Sequence, residues 1–167
     1  MDEGKNIVKV FDYLIEFYKE MSLLFKDIGE LMGNEGWYRD RTEATSHLSY
    51  SLDKPSRWLS KYTYRVYKNK EEPGIYRTVL AVYKWGTKIT EPIFFIGKMY
   101  DVEYKKFSPF NFWKNQEETQ PNGKIIEGIY EVNGEEKYKY RWTAIPLMEI
   151  RNKEDVKEKI VEKLLSL

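Results

Sequence analysis

"KIIEGIYEVNGEEKYKYRWTAI", residues 124–145, decides the fold class. Asn133-Gly134 sits between two alternating runs, and such a pair accepts the left-handed backbone of a tight hairpin turn. Side-chain parity then tests the register. A two-residue loop sets Glu127 opposite Tyr140 and Tyr130 opposite Lys137, which mixes wet and dry faces. A three-residue loop, with Gly134 in the left-handed position of a bulge, gathers Ile126, Tyr130, Tyr138, Tyr140 and Trp142 on one face. Glu127, Glu131, Lys137, Lys139 and Arg141 then share the other. The odd loop is expected, because a one-residue slip turns a whole strand's apolar set outward.

Upstream of the hairpin the chain reads as more strands. Residues 93–104 and 75–85 are apolar on both faces at their centres, so they are expected to be central and covered on both sides. Residues 61–69 place Tyr62, Tyr64 and Val66 together, and residues 44–52 alternate Leu48, Tyr50 and Leu52 with His47, Ser49 and Ser51. The connections "DKPSRW", "KEEPG" and "GTKITEP" are too short for parallel crossovers, so neighbouring strands are antiparallel.

Helices flank the sheet. Over residues 5–32, Ile7, Phe11, Leu14, Tyr18, Met21, Phe25, Ile28 and Met32 recur at spacings of 4 and 3. Val10, Phe17, Leu24 and Leu31 widen the stripe to the arc of a core-facing helix, and Gly33 is the expected stop. Residues 152–166 make a second helix with Val156, Ile160, Val161, Leu164 and Leu165 inward, and Asn152 and Asp155 at its start form a near capping box. The expected architecture is one α+β domain over 1–167: a long N-terminal helix, about six antiparallel strands in meander order and a C-terminal helix. The first helix runs about 42 Å at 1.5 Å per residue, whereas strands of eight to ten residues span roughly 30 Å. An overhanging end bearing Ile7, Val8 and Phe11 needs a partner, most simply a second copy about a two-fold axis.

Composition narrows the function classes. An aromatic share of 16% argues for a folded globule, and a charged share of 33% dominated by Lys and Glu resembles thermophile usage. The absence of cysteine removes disulfides, thiolate nucleophiles and zinc–thiolate sites. No apolar run of about 18 residues is present. "MDEG" is unlike a secretory leader, so a cytoplasmic location away from membranes is expected. The net charge of +1 hides an asymmetry: residues 1–35 are acidic, 36–115 basic and 116–167 mildly acidic. The expected cause is acidic helices lying near a basic sheet, since the balance is not that of a nucleic-acid binder.

Four stretches carry possible chemistry. "GWYRDRTEATSHLSYSL", residues 36–52, holds the lone histidine, His47. Ser49 lies two residues away on the same strand face, about 6.5–7 Å between Cα atoms, so a direct Ser–His bond is strained. "DVEYKK" sets Asp101, Glu103 and Lys105 on one strand face, a donor pattern for a divalent metal and a phosphoryl group. Over these few residues it resembles the E-x-K half of the restriction-type nuclease core, though the upstream Pro-Asp pair of that core is absent. "KYTYRVYK" and "KYKYRW" interleave rings and cations, but alternation sends the rings of "KYKYRW" to one face and its cations to the other, whereas single-stranded nucleic acid needs both on one. The loop 105–123 carries Phe107, Phe110, Phe112 and Trp113 flanked by Lys105, Lys106 and Lys114. A loop of that length is either a plug over the sheet end or a contact surface.

No phosphate-binding glycine motif and no cofactor fingerprint occurs. The leading expectation is a non-catalytic binding or interaction module that uses the aromatic loop and its lysines. Its partner is a protein or a small anionic or aromatic ligand. The alternatives are a pocket between sheet and helix for an apolar or anionic small molecule, with or without catalysis, and a single-stranded nucleic-acid binder.

Overall fold

A computed structural model describes residues 3–40, 59–83, 91–100, 123–132 and 135–167. Helix α1 (Glu3–Asn34) leads into β1 (Tyr38–Arg39), β2 (Tyr62–Lys68), β3 (Tyr76–Val82), β4 (Ile93–Tyr100), β5 (Ile126–Val132) and β6 (Glu135–Pro146). A 3-10 turn at Leu147–Glu149 precedes the C-terminal helix. That helix is continuous but wound in three pieces: α2 (Lys153–Asp155), a π-helical Val156–Glu162 and α3 (Lys163–Ser166). The class is α+β, as expected.

The strands form one antiparallel sheet in the order β1-β2-β3-β4-β6-β5. It is a meander as far as β4. The last hairpin then enters reversed, with β6 beside β4 and β5 at the edge. β1 is shorter than any alternation can signal and lies upstream of the expected strand at 44–52, a stretch outside the described residues.

Hairpin parity is as expected, but its origin differs. Ile126 pairs with Trp142, Glu127 with Arg141 and Tyr130 with Tyr138, the register of the odd loop. Nearer the turn Glu131 pairs with Glu136 and Val132 with Glu135, so only 133 and 134 lie between paired residues. The extra residue is Lys137, a bulge on β6 instead of a third loop residue. The sheet thus keeps both the short turn and the aromatic face.

Burial on both faces of β3 and β4 splits the core into two layers. Val79, Ala81, Phe94 and Ile96 face α1 and the C-terminal helix, where Phe25, Ile28, Met32 and Ile160 close over them. Leu80, Val82, Ile93 and Phe95 point the other way, with Tyr62, Tyr64, Val66, Tyr138 and Trp142. Every described helix lies on the first face. Phe25 and Phe94 anchor α1 there, their ring centroids 6.0 Å apart.

The end of α1 corrects one expectation. The helix runs through Gly33 to Asn34, and Gly36 at φ 78° takes the left-handed position. Trp37 N–H donates to the Met32 carbonyl and Gly36 N–H to that of Gly33, the paired bonds of a Schellman cap. Trp37 and Met32 are buried in the same cluster, so tertiary packing chose the later glycine. At the C-terminal helix, Asn152 accepts from Asp155 N–H at 2.9 Å, and the Asp155 carboxylate accepts from Arg151 N–H. The expected capping pair is therefore present, with the return bond one residue earlier than in a standard box.

Candidate functional site

Two features of the described residues stand out: the exposed N-terminal half of α1 and a row of polar side chains across the helix face of the sheet. The first arises from length. At 1.5 Å per residue the 32 residues of α1 span about 48 Å, roughly twice a seven- or eight-residue strand. The helix leaves the body near Phe17 and Tyr18. Both rings meet Tyr83 edge-on, at 4.9 and 6.1 Å between centroids, and the Tyr18 hydroxyl donates to the Ser60 carbonyl. Before that point Ile7, Val8, Val10, Phe11, Tyr13 and Ile15 are each more than half exposed, from 54% at Ile15 to 74% at Tyr13. After it Met21, Phe25, Ile28 and Met32 are buried. The same 4-3 stripe thus serves as core along one half of the helix and stands bare along the other. Sequence length had flagged Ile7, Val8 and Phe11; Val10, Tyr13 and Ile15 were missed, since only the departure point at Phe17 shows that the helix is exposed on several sides there, with Leu14 half-buried.

The second feature is one cross-strand line on the helix face. Arg39, Tyr67, Arg77, Lys98, Arg141 and Glu127 are successive partners from β1 to β5. Arg77 is buried, lies 4.5 Å above the Trp37 ring and donates to the Leu164 carbonyl. Arg141 donates to the Leu167 carbonyl and pairs with Glu127 at 2.8 Å; the Tyr100 hydroxyl also reaches Leu167. Two of these cations therefore sit under the negative end of the C-terminal helix, where a positive charge is favoured. Burial pulls the Arg77 guanidinium below its usual pKa, against a small opposing effect of Glu72. It does the same to Lys98, which Arg77 and Arg141 push further down. The basic sheet meets the C-terminal helix through its carbonyl end, not through acidic helix side chains as expected. The ion pair Lys153 with Glu30, at 3.1 Å, joins two helices instead. Parity alone places Arg77, two residues from Val79, on the core-facing side, and the register then aligns it with Lys98 and with Arg141 two strands over.

Rings and cations of "KYKYRW" part as expected, whereas in "KYTYRVYK" Tyr67 joins Arg65 on the helix face. Tyr62, Tyr64, Tyr138 and Trp142 join the second core layer, and Arg65 and Arg141 face the helices. Arg65 lies 5.7 Å above Phe25, and burial with the nearby Arg39 lowers its pKa.

Two clefts open on the described surface. One, of about 630 Å³, runs between α1 and the segment after β6, lined by Glu20, Leu23, Asp27, Met148, Arg151 and Lys153 among others. The other, of about 550 Å³, lies at the β5 edge, with Tyr100, Glu127, Ile129, Lys139, Tyr140 and Arg141. Neither lies between α1 and the sheet, where Phe25, Ile28, Phe94 and Ile96 fill the space. Among the described residues no group of three or more His, Asp or Glu could hold a metal, and no helix is long and apolar enough to cross a membrane.

The other sequence candidates lie outside the described residues. These are His47, the triplet Asp101, Glu103 and Lys105, and the aromatic loop with Lys106, Phe107, Phe110, Phe112, Trp113 and Lys114. Comparison with family models, curated proteins and solved structures yields no match to this chain.

Proposed function

We propose that this chain is a non-catalytic interaction module that presents the projecting half of α1 to a protein partner. One observation carries the reading: an amphipathic stripe that is core at Met21, Phe25 and Ile28 continues through a half-buried Leu14 to Phe11 and Ile7, each more than half exposed. Helices draw most of their stability from packing, and an isolated helix shorter than about 12–15 residues is marginal in water. A free half of that size is stabilised when another surface covers it. Exposed apolar patches of this kind mark interaction sites. The loop 105–123, with its rings and lysines, is a second contact element on the strength of its sequence.

The test is comparative binding. Immobilised wild-type chain is expected to retain a protein partner that the double variant Ile7→Asp, Phe11→Asp releases. Retention on heparin that only high salt reverses would favour nucleic acid instead. A saturable change in intrinsic fluorescence with a small anion would favour a pocket. Equal retention by wild type and variant would remove α1 from the site.

A further inference from the structure

We infer that the flank of the sheet beside α1, where Arg39 of β1 shares one face with Arg65 and Tyr67 of β2, is a binding site for a phosphoryl group. The inference is independent of the projecting half of α1, since all three residues lie beside its packed half.

Register builds the site. Arg39 stands directly opposite Tyr67, and Arg65 lies two residues further along β2 on the same face. Diagonal neighbours of that kind are about 7–8 Å apart, a gap that two long guanidinium side chains can close around one small anion. The Arg65 guanidinium is held in place: it lies 5.7 Å above the Phe25 ring and donates to the Tyr64 carbonyl at 3.1 Å. That bond leaves most of its donors for a ligand. Asp40, the carboxylate next to Arg39 in sequence, alternates to the other face and pairs with Lys68. Among the described residues no ion pair engages Arg39 or Arg65. Burial lowers the Arg65 pKa and the Arg39 charge lowers it further, a repulsion that an anion between them relieves.

Tyr67 supplies the second observation. It is 1% exposed, yet its hydroxyl has no hydrogen-bond partner among the described residues. A phenylalanine would fill the same space without an unsatisfied group. Burial raises the Tyr67 pKa while Arg65 and Arg39 both pull it down, so both charges lie within reach of this hydroxyl. Exposure falls from Arg39 through half-buried Arg65 to Tyr67, so the site opens at Arg39 and ends on the hydroxyl. Gly29 of α1 faces that end, since a Cβ added there would stand 4.0 Å from the Tyr67 oxygen. The helix positions adjoining Gly29, Ser22, Lys26 and Gly33, include no acid that would repel an anion. One bidentate arginine satisfies both oxygens of a carboxylate, whereas two guanidiniums and a hydroxyl from two strands suit the three oxygens of a phosphoryl group.

Titration calorimetry of the full chain with inorganic phosphate at low ionic strength tests the site, with acetate as the control anion. Wild type is expected to bind a single phosphate saturably in the millimolar range. Tyr67→Phe and Arg39→Gln should each weaken it by about tenfold or more, the loss of one charge-assisted hydrogen bond. Without phosphate, Tyr67→Phe should melt at or above the wild-type temperature. No saturable phosphate binding by wild type, or equal binding after Tyr67→Phe, would overturn the site. Acetate bound more tightly than phosphate would overturn the phosphoryl assignment. A phosphate-free melt far lower in Tyr67→Phe would also overturn it, since the hydroxyl would then be satisfied within the chain.

Discussion

The Phe17 ring meets Tyr83 edge-on, centroids 4.9 Å apart and planes at 84°, and this contact marks where α1 leaves the sheet. On one side of it the helix is core, and on the other it is surface. The same residue type should therefore behave differently on either side. Phe25→Ala is expected to cost about 3–5 kcal/mol, the loss for a buried phenylalanine. Phe11→Ala, in the monomer, should stay within about 0.5 kcal/mol of wild type. Urea titration of the two variants at high dilution checks the ranking.

Arg77 stacks on Trp37 and donates to the carbonyl end of the C-terminal helix. Arg77→Ala should destabilise by about 2–4 kcal/mol, combining a charge-assisted bond and a cation–π contact. Arg77→Lys should recover only part, because an ammonium cannot stack flat and donate sideways together. A loss under about 0.5 kcal/mol in Arg77→Ala would mean that the cation row only solvates the sheet end.

Tyr67 and Tyr83 carry hydroxyls whose pKa burial pushes up to about 12 from an ordinary 10. The unfolded chain therefore loses these protons first as pH rises. Stability is complete below pH 10 and falls between 10 and 12, by about 1.4 kcal/mol per pH unit for each tyrosine. The Tyr67 hydroxyl is buried with no hydrogen-bond partner, so Tyr67→Phe should be neutral or slightly stabilising at pH 7 and should flatten the alkaline slope. Denaturant midpoints at pH 9 and pH 11 decide it.

Gly128 faces Tyr140 across the β5–β6 ladder, and a Cβ added to Gly128 would run into the Tyr140 ring. The ring covers backbone that the glycine leaves bare, a pairing that fixes register at a sheet edge. Gly128→Ala should cost about 1–3 kcal/mol with Tyr140 present, as overpacking does. In a Tyr140→Ala background the same change should cost nothing, and a double-mutant cycle reads the difference as coupling.

Most of the architecture was legible because periodicity and parity are strong signals. The stripe from Ile7 to Met32 and the parity of Tyr130 against Tyr138 both carried through. Local choices set by distant packing were not. Gly33 and Gly36 both suit a helix end, and only the burial of Trp37 separates them. The Lys137 bulge and the third loop residue give the same parity, so sequence alone could not choose between them. The reversal of β5 and β6 depends on the long connection after β4, which carries no pairing rule. The projecting helix was legible from length alone, as a comparison of α1 with strand span. The cation row was hidden because its members come from different strands of the sheet and meet only through register.

Amide hydrogen exchange along α1, read residue by residue at high dilution, is the most direct measurement of the projecting helix. At high dilution residues 4–16 should exchange orders of magnitude faster than residues 21–32, because a short helix without packing frays while the packed half opens only with the core. Uniform protection along the whole of α1 at high dilution would contradict the picture, since it would mean that the first half is already covered within a single chain.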